Sequence, residues 1–247
     1  MTRTNVWCIV EVGDRMRGKL IVIEGTDCSG KETQTALLKN RLRKEGFRIE
    51  HFSYPNYNSP TGKIVGGPYL GKKEIGPCIF PEGGTNVDPK VASLYYAADR
   101  KYNIDKIIYL LENGVHVLLD RYVYSNMAHQ GCKLQDENQR NQMYDFLEKL
   151  EFDLLELPKP DISIFLHMPT FMSLELGKNR EYLDEHEKSK EHLELAEKSY
   201  KELADRYQFK VIECYDESLK TIEEIHEEVY NYVLTYVNEK KSREYHL

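Results

Sequence analysis

Residues 18–34, GKLIVIEGTDCSGKETQ, decide how the rest of the chain is read. Leu20 to Glu24 is a continuous branched apolar run, short enough for a strand buried on both faces. TQTALLKNRLRKEG follows, with Ala36, Leu37, Leu38 and Leu42 on one helical face and Gly46 as its stop. Between strand and helix lies Gly25-Thr26-Asp27-Cys28-Ser29-Gly30-Lys31-Glu32-Thr33. In that context the glycines let the backbone approach an anion, the helix N-terminus aims N–H groups at phosphate oxygens, and Lys31 adds a full charge at the β/γ position. Glu32 is unusual, because a hydroxyl after the lysine ordinarily holds Mg²⁺ between the β- and γ-phosphates. A carboxylate is also a hard oxygen ligand. Glu32 is therefore expected to hold the metal directly or through water, with Thr33 as the alternative.

Outward from this loop, short branched runs alternate with amphipathic stretches, the signature of a parallel sheet with crossover helices. RIEHFSY, VHVLLD, DISIFLHM and FKVIEC supply four more strands. Val91 to Gly114 predicts a helix broken near Asn103, and Ser218 to Glu239 a last helix burying Ile222, Ile225, Val229, Val233 and Val237. The expected fold is a phosphate-loop three-layer α/β/α domain with a central five-stranded parallel sheet and a helical lid. Gly66–Pro89 is rich in glycine and proline and predicts an irregular insertion, either covering a ligand or forming a dimer contact. Arg180–Lys201 is intensely charged and reads as a helix with a solvated face. Residues 1–17 are set apart as an extension, with Met16 a possible start. Residues 18–240 form the single domain, with 177–192 as lid, and 241–247 are a tail.

The 247 residues carry a formal charge of −7, so no basic excess exists to neutralise a nucleic-acid backbone. No apolar run approaches the roughly 20 residues that span a bilayer, and no secretory signal opens the chain. A cytoplasmic protein is expected. Its five scattered cysteines imply neither a zinc site nor a disulfide frame.

A second motif, VHVLLDRYVYSNMAHQG, begins at Val115. Its strand delivers Asp120 to the sheet's C-terminal edge, where open α/β sheets bind ligands, making Asp120 a second candidate for the metal. Arg121 follows, and Ser125, Asn126 and Gln130 form a polar row on the next helix.

EGTDCSGKETQ at Glu24, YPNYNSPTGKIV at Tyr54, LYYAADRKYN at Leu94, LDRYVYSNMAHQG at Leu119 and LPKPDISIFLHMP at Leu157 together resemble the thymidylate monophosphate kinases. The likeness runs from about Lys19 to Tyr236. It implies transfer of the ATP γ-phosphoryl group to dTMP, with Mg²⁺, by a homodimer packed through helices. Matched position by position, Gly25 to Thr33 would cradle ATP, with Lys31 stabilising the transferring group. Asp27 would face the acceptor's 3′-hydroxyl. Tyr54 and Pro55 would border the acceptor pocket, and Tyr96 would stack on thymine. Arg100 and Arg121 would hold the acceptor phosphate, while Ser125, Asn126 and Gln130 would read the pyrimidine edge.

The chain departs from the pattern in several places. Cys28 stands where one branch of the family has an arginine, so charge is expected from the lid, with Arg180 chosen over Lys178, Lys188 and Lys190. Glu185 aligns where another lid arginine would fall. Tyr57 falls where a phosphate arginine can lie, and His129 replaces a tyrosine beside the ribose, leaving dUMP or a ribonucleotide open as acceptor. His167, where an acidic residue is common, reads as a buried, satisfied histidine. Two other functions remain: a deoxynucleoside kinase, and a nucleotide-binding regulator that has lost activity.

Overall fold

A computed structural model describes residues 16–178 and 189–238. The chain runs β1 (Leu20–Gly25), α1 (Lys31–Lys44), β2 (Ile49–Ser53), α2 (Pro60–Ile64), α3 (Pro89–Asn103), α4 (Asp105–Glu112) and β3 (His116–Asp120). It continues through α5 (Val123–Gly131), α6 (Glu137–Glu148), β4 (Ile162–His167), α7 (Thr170–Gly177), α8 (Lys190–Arg206), β5 (Lys210–Glu213) and α9 (Ile222–Val237). The five strands pair in the order β2-β3-β1-β4-β5, all parallel. Ile21 sits between Leu118 and Ile162, which places β1 at the centre.

Side chains alternate across that central strand as its pleat requires. Leu20 and Val22 join Val117, Leu119 and Phe165 in a core closed by α4, α5, α6 and α8. Ile21 and Ile23 face the other way and pack with Leu118, Ile164 and Leu166 against α1 and α9. Both faces are therefore covered, and the continuous apolar character of β1 follows from this double burial. Each fully buried Leu or Ile contributes about 1.5–3 kcal/mol. The three-layer architecture and five parallel strands agree with the sequence expectation.

Several elements differ from that expectation. α9 begins at Ile222 rather than Ser218, because Thr221 and Glu224 form a reciprocal capping box at its first turn. α6 was not anticipated at all. Its buried residues are Arg140, Met143, Tyr144 and Leu147, a sparse stripe in a polar segment. α8 is more than a solvated face: His192, Leu193, Ala196, Tyr200 and Leu203 are buried along one side. The segment after α2 contains a π-helical turn (Val65–Tyr69) and a 3₁₀ turn (Gly84–Asn86). It encloses a small core of Val65, Tyr69, Leu70, Val87 and Ala92. No helix among the described residues is long and apolar enough to cross a membrane. Cys28, Cys78, Cys132 and Cys214 are free thiols.

Candidate active site

The phosphate loop turns from β1 into α1 at the C-terminal edge of the sheet. A Cβ on Gly25 would lie 2.5 Å from the Ser29 hydroxyl and 2.8 Å from the Leu166 carbonyl, so only glycine fits there. Gly30 caps α1 with φ at 77°, the left-handed conformation that glycine adopts without strain. Thr26 pins the loop to the neighbouring strand end: its hydroxyl donates to the Met168 carbonyl at 2.7 Å and accepts from the Met168 N–H at 3.0 Å.

Lys31 is buried and folds back over the loop, donating to the carbonyls of Gly25 (3.0 Å) and Thr26 (2.7 Å) and to the Ser29 hydroxyl (3.4 Å). Burial, then the nearby Arg121 charge, lowers its pKa to about 8, against the partial opposition of Asp27, Asp120 and Glu24. The ammonium is thus held among neutral acceptors beside a second cation. An anionic oxygen there relieves both penalties.

That second cation, Arg121, sits between β3 and α5 with φ at 64°, a left-handed conformation unusual for a side-chain-bearing residue. Its Nη2 donates to Asp27 Oδ1 at 2.8 Å, and its Nη1 donates to the Tyr200 hydroxyl at 3.0 Å and Ser125 Oγ at 3.3 Å. Burial opposes its charge, but Tyr200, Asp27, Asp120 and Glu24 more than offset this and raise its pKa. Glu24 organises the turn behind it. Its Oε1 accepts the backbone N–H groups of Tyr122 (2.8 Å) and Ser125 (3.2 Å), and its Oε2 accepts the Ser125 hydroxyl.

A cleft of about 150 Å³ opens beside Asp27 and Arg121. Tyr54, Pro55, Tyr96, Arg100, Ser125 and Asn126, all chosen from sequence, line it with these two. Tyr57, Leu70, Lys72, Tyr122 and His129 complete the wall, so the segment after α2 does reach the cleft. Gln130 does not line it; that side chain is fully buried, with neither amide atom hydrogen-bonded among the described residues. Arg180 and Glu185 lie outside the described residues. Glu32 and Thr33 are both exposed at the first turn of α1. Asp120 Oδ1 is buried without a hydrogen-bond partner among the described residues, an acceptor placed close enough to Lys31 to act on its charge.

Arg100 is already engaged by a carboxylate. Expected as a phosphate clamp, it is only 2% exposed, and Glu151 holds it along two edges, Nε to Oε2 and Nη2 to Oε1. A guanidinium neutralised in this way has little net charge to offer a phosphate. Glu24, Glu151 and Tyr200 are among the site-building residues that were not singled out from the sequence. Tyr200 could have been found from the spacing His192-Ala196-Tyr200-Leu203 on α8. His167 is held by Glu213 at Nδ1 and Glu197 at Nε2. His129 is kept neutral by burial and by Arg121 and His192, with its Nδ1 3.2 Å from His192 Nε2.

Strand, glycine loop and helix converge on one anion-binding point, and a guanidinium answers it across a cleft at the sheet edge; this is the constellation of phosphate-loop nucleotide phosphotransferases. The sequence model of the thymidylate kinase family matches residues 23–229. A probable thymidylate kinase of Methanocaldococcus jannaschii is 33% identical over 213 residues, covering 86% of this chain and 94% of that protein. One from Pyrococcus horikoshii is 31% identical over 216 residues, covering 87% and 95%. The solved thymidylate kinase of Candida albicans superposes with a TM-score of 0.69 at 24% identity, over 90% of this chain and 93% of that one. The chain belongs to the thymidylate kinase family.

Proposed function

We propose that this chain moves the γ-phosphoryl group of ATP onto the phosphate of dTMP, giving dTDP and ADP, in the cleft between the phosphate loop and the α3 and α5 helices. The observation that carries the reading is the position of Arg121: it is paired to Asp27 of the loop itself, and its charge acts on Lys31. Two phosphates, one on the loop and one in the cleft, would be bracketed by these cations. Phosphoryl transfer spreads charge over the equatorial oxygens, so positioned cations supply most of the catalysis and no strong base is needed. Asp27, at the junction, would accept the 3′-hydroxyl of the acceptor sugar. Arg100, already neutralised by Glu151, would serve the base end of the cleft rather than the phosphate end. Tyr96 would pack against the ring.

Mg²⁺ belongs to the same proposal. Asp120, with Glu32 or Thr33, would hold it, and it would neutralise charge on the β- and γ-phosphates. Among the described residues no three His, Cys, Asp or Glu converge on a metal position. This suits an ion that takes most of its ligands from phosphate and water. We also propose a homodimer through α3, which exposes Val91 (43%), Leu94 (50%) and Tyr102 (62%) along one face. Light scattering should give twice the monomer mass, and Leu94→Glu should return it to the monomer.

ADP release with ATP, Mg²⁺ and, separately, dTMP, thymidine, dUMP, dCMP or UMP tests the activity. Turnover with dTMP but not thymidine is expected. Turnover with thymidine alone would make the chain a nucleoside kinase, and no turnover despite ATP binding would make it a regulator.

A further inference from the structure

We infer that Glu151 is a positioning residue that sets the hydrogen-bond polarity of the base end of the cleft, so that the site takes a base carrying a ring N–H beside a carbonyl and rejects a cytosine. The inference rests on the reading of the cleft as the monophosphate acceptor site.

Glu151 lies in a π-helical turn (Lys149–Leu154) that continues α6 and is fully buried. Besides Arg100, its Oε1 accepts Asn126 Nδ2 at 2.9 Å. The same Nδ2 donates to the Ser93 carbonyl at 3.2 Å. Both partners can only accept, so the amide of Asn126 has one tolerable orientation: nitrogen toward Glu151 and Ser93, oxygen away from them. The reverse orientation would set Oδ1 against two oxygens with no proton between them. Asn126 Oδ1 is thereby left as a buried acceptor with no partner among the described residues. A buried acceptor without a donor costs about 1–3 kcal/mol, which a ligand N–H would recover.

Arg100 is constrained by the same carboxylate. Glu151 occupies Nε and Nη2, so the remaining nitrogen, Nη1, has only a long contact of 3.5 Å to the Tyr122 carbonyl. Arg100 and Asn126 both line the cleft. One carboxylate therefore leaves an uncommitted N–H on Arg100 and an unpartnered oxygen on Asn126, two residues that line the same cleft. The uracil or thymine edge, a ring N–H next to a carbonyl oxygen, complements that pair. Cytosine inverts both members, setting an amine against the guanidinium and a ring nitrogen lone pair against Oδ1. Rejection of this kind, with buried groups left unpaired, is the strong form of specificity. The Glu151–Arg100 pair is also close to neutral, which leaves the phosphate to Arg121.

The test is Glu151→Gln in the full chain, with kcat/KM measured for dTMP, dUMP and dCMP at saturating ATP. A glutamine offers one donor and one acceptor, so Asn126 is no longer held in one orientation. The ratio of dTMP to dCMP is expected to fall about tenfold to a hundredfold, with the KM for ATP unchanged. A general structural defect would lower all three acceptors together and leave the ratio intact, and that result overturns the inference. So does a wild-type chain that uses dCMP as well as dTMP. Where Glu151→Gln fails to fold, Glu151→Asp keeps the charge opposite Arg100 while withdrawing the carboxylate by one methylene; it should narrow the ratio, and an unchanged ratio again overturns the inference. Absence of turnover with every monophosphate in the wild type would instead sink the acceptor-site reading itself.

Discussion

Replacing Lys31 with methionine isolates the electrostatic cost of the phosphate loop. Burial and the neighbouring Arg121 charge lower the Lys31 ammonium from 10.5 to about 8 in the folded chain. In the unfolded chain the group titrates near its ordinary value of about 10.4. Between these two values the unfolded chain holds the extra proton, so stability contributed by this group rises with pH across that window. Below about pH 8 the cost of burying the charge is fully present. That lowering corresponds to roughly 3 kcal/mol. Lys31→Met carries no titrating group, so its stability relative to wild type should be most favourable at neutral pH and should fall by roughly 3 kcal/mol as pH approaches 10.5. Urea unfolding of both proteins at intervals from pH 7 to pH 10.5 gives this difference directly, because other titrations cancel between the two chains. Phosphoryl transfer should be lost in the variant throughout. A stability difference that stays level across the whole range would refute the reasoning, since it would mean that Lys31 is not a charge held against desolvation in its own loop.

Arg121→Ala should lower kcat/KM for dTMP by about 10²–10³, the usual effect of removing one donor to transition-state charge; a loss under about threefold would count against the Arg121 assignment. Arg121→Gly removes the same contacts but relieves the left-handed backbone at 64°, so thermal unfolding should find it about 1 kcal/mol more stable than the alanine variant. Two carboxylates hold the His167 pKa above 6.5 against burial, so the stability it supplies is fully present below about pH 6.5 and lost as pH rises through the raised value. His167→Gln should therefore destabilise more at pH 6 than at pH 8.5, and a flat or inverted dependence in chemical unfolding would exclude the network. Arg180 lies outside the described residues, but if the lid supplies the charge that Cys28 does not, Arg180→Ala should reduce turnover about tenfold or more.

How much of this could be read from the chain depended on how local the cause was. The phosphate loop was legible because strand, glycines, lysine and helix are contiguous, and each constrains its neighbours over a few residues. The five strands were legible because double burial leaves branched apolar runs between turn residues. α6 was not, since its apolar residues, Met143, Tyr144, Phe146 and Leu147, come late in a stretch dominated by Asn, Gln, Glu and Asp. Arg100 is the harder case. Its residue type suits a phosphate, and nothing near it in sequence says otherwise. The carboxylate that neutralises it lies 51 positions away in a segment, EKLEFDLLEL, whose acidic residues look alike until one of them is found fully buried. Gln130 is a related case: a polar residue on the right helix can be fully buried and stay out of the cleft lining.

The two buried carboxylates divide the cleft between them. Glu24 gathers the backbone of Tyr122 and Ser125 and so supports the left-handed turn at Arg121, a conformation that costs about 1–2 kcal/mol for a residue with a side chain. The guanidinium that this turn delivers keeps its charge and, among the described residues, meets one carboxylate, Asp27, at ion-pair distance. Glu151 does the reverse at the other end, cancelling Arg100 while leaving one donor and one acceptor beside the cleft. Under the proposed acceptor-site reading, charge would remain where phosphates are to be held, and directional hydrogen bonds would remain where a flat neutral ring is to be told from its near-isosteres. On the same reading, exchanging the two arrangements would put an uncompensated cation against a base and a neutral pair against a phosphate. The separation of roles follows from which arginine has a buried carboxylate committed to it, a fact of the fold that residue type alone does not carry.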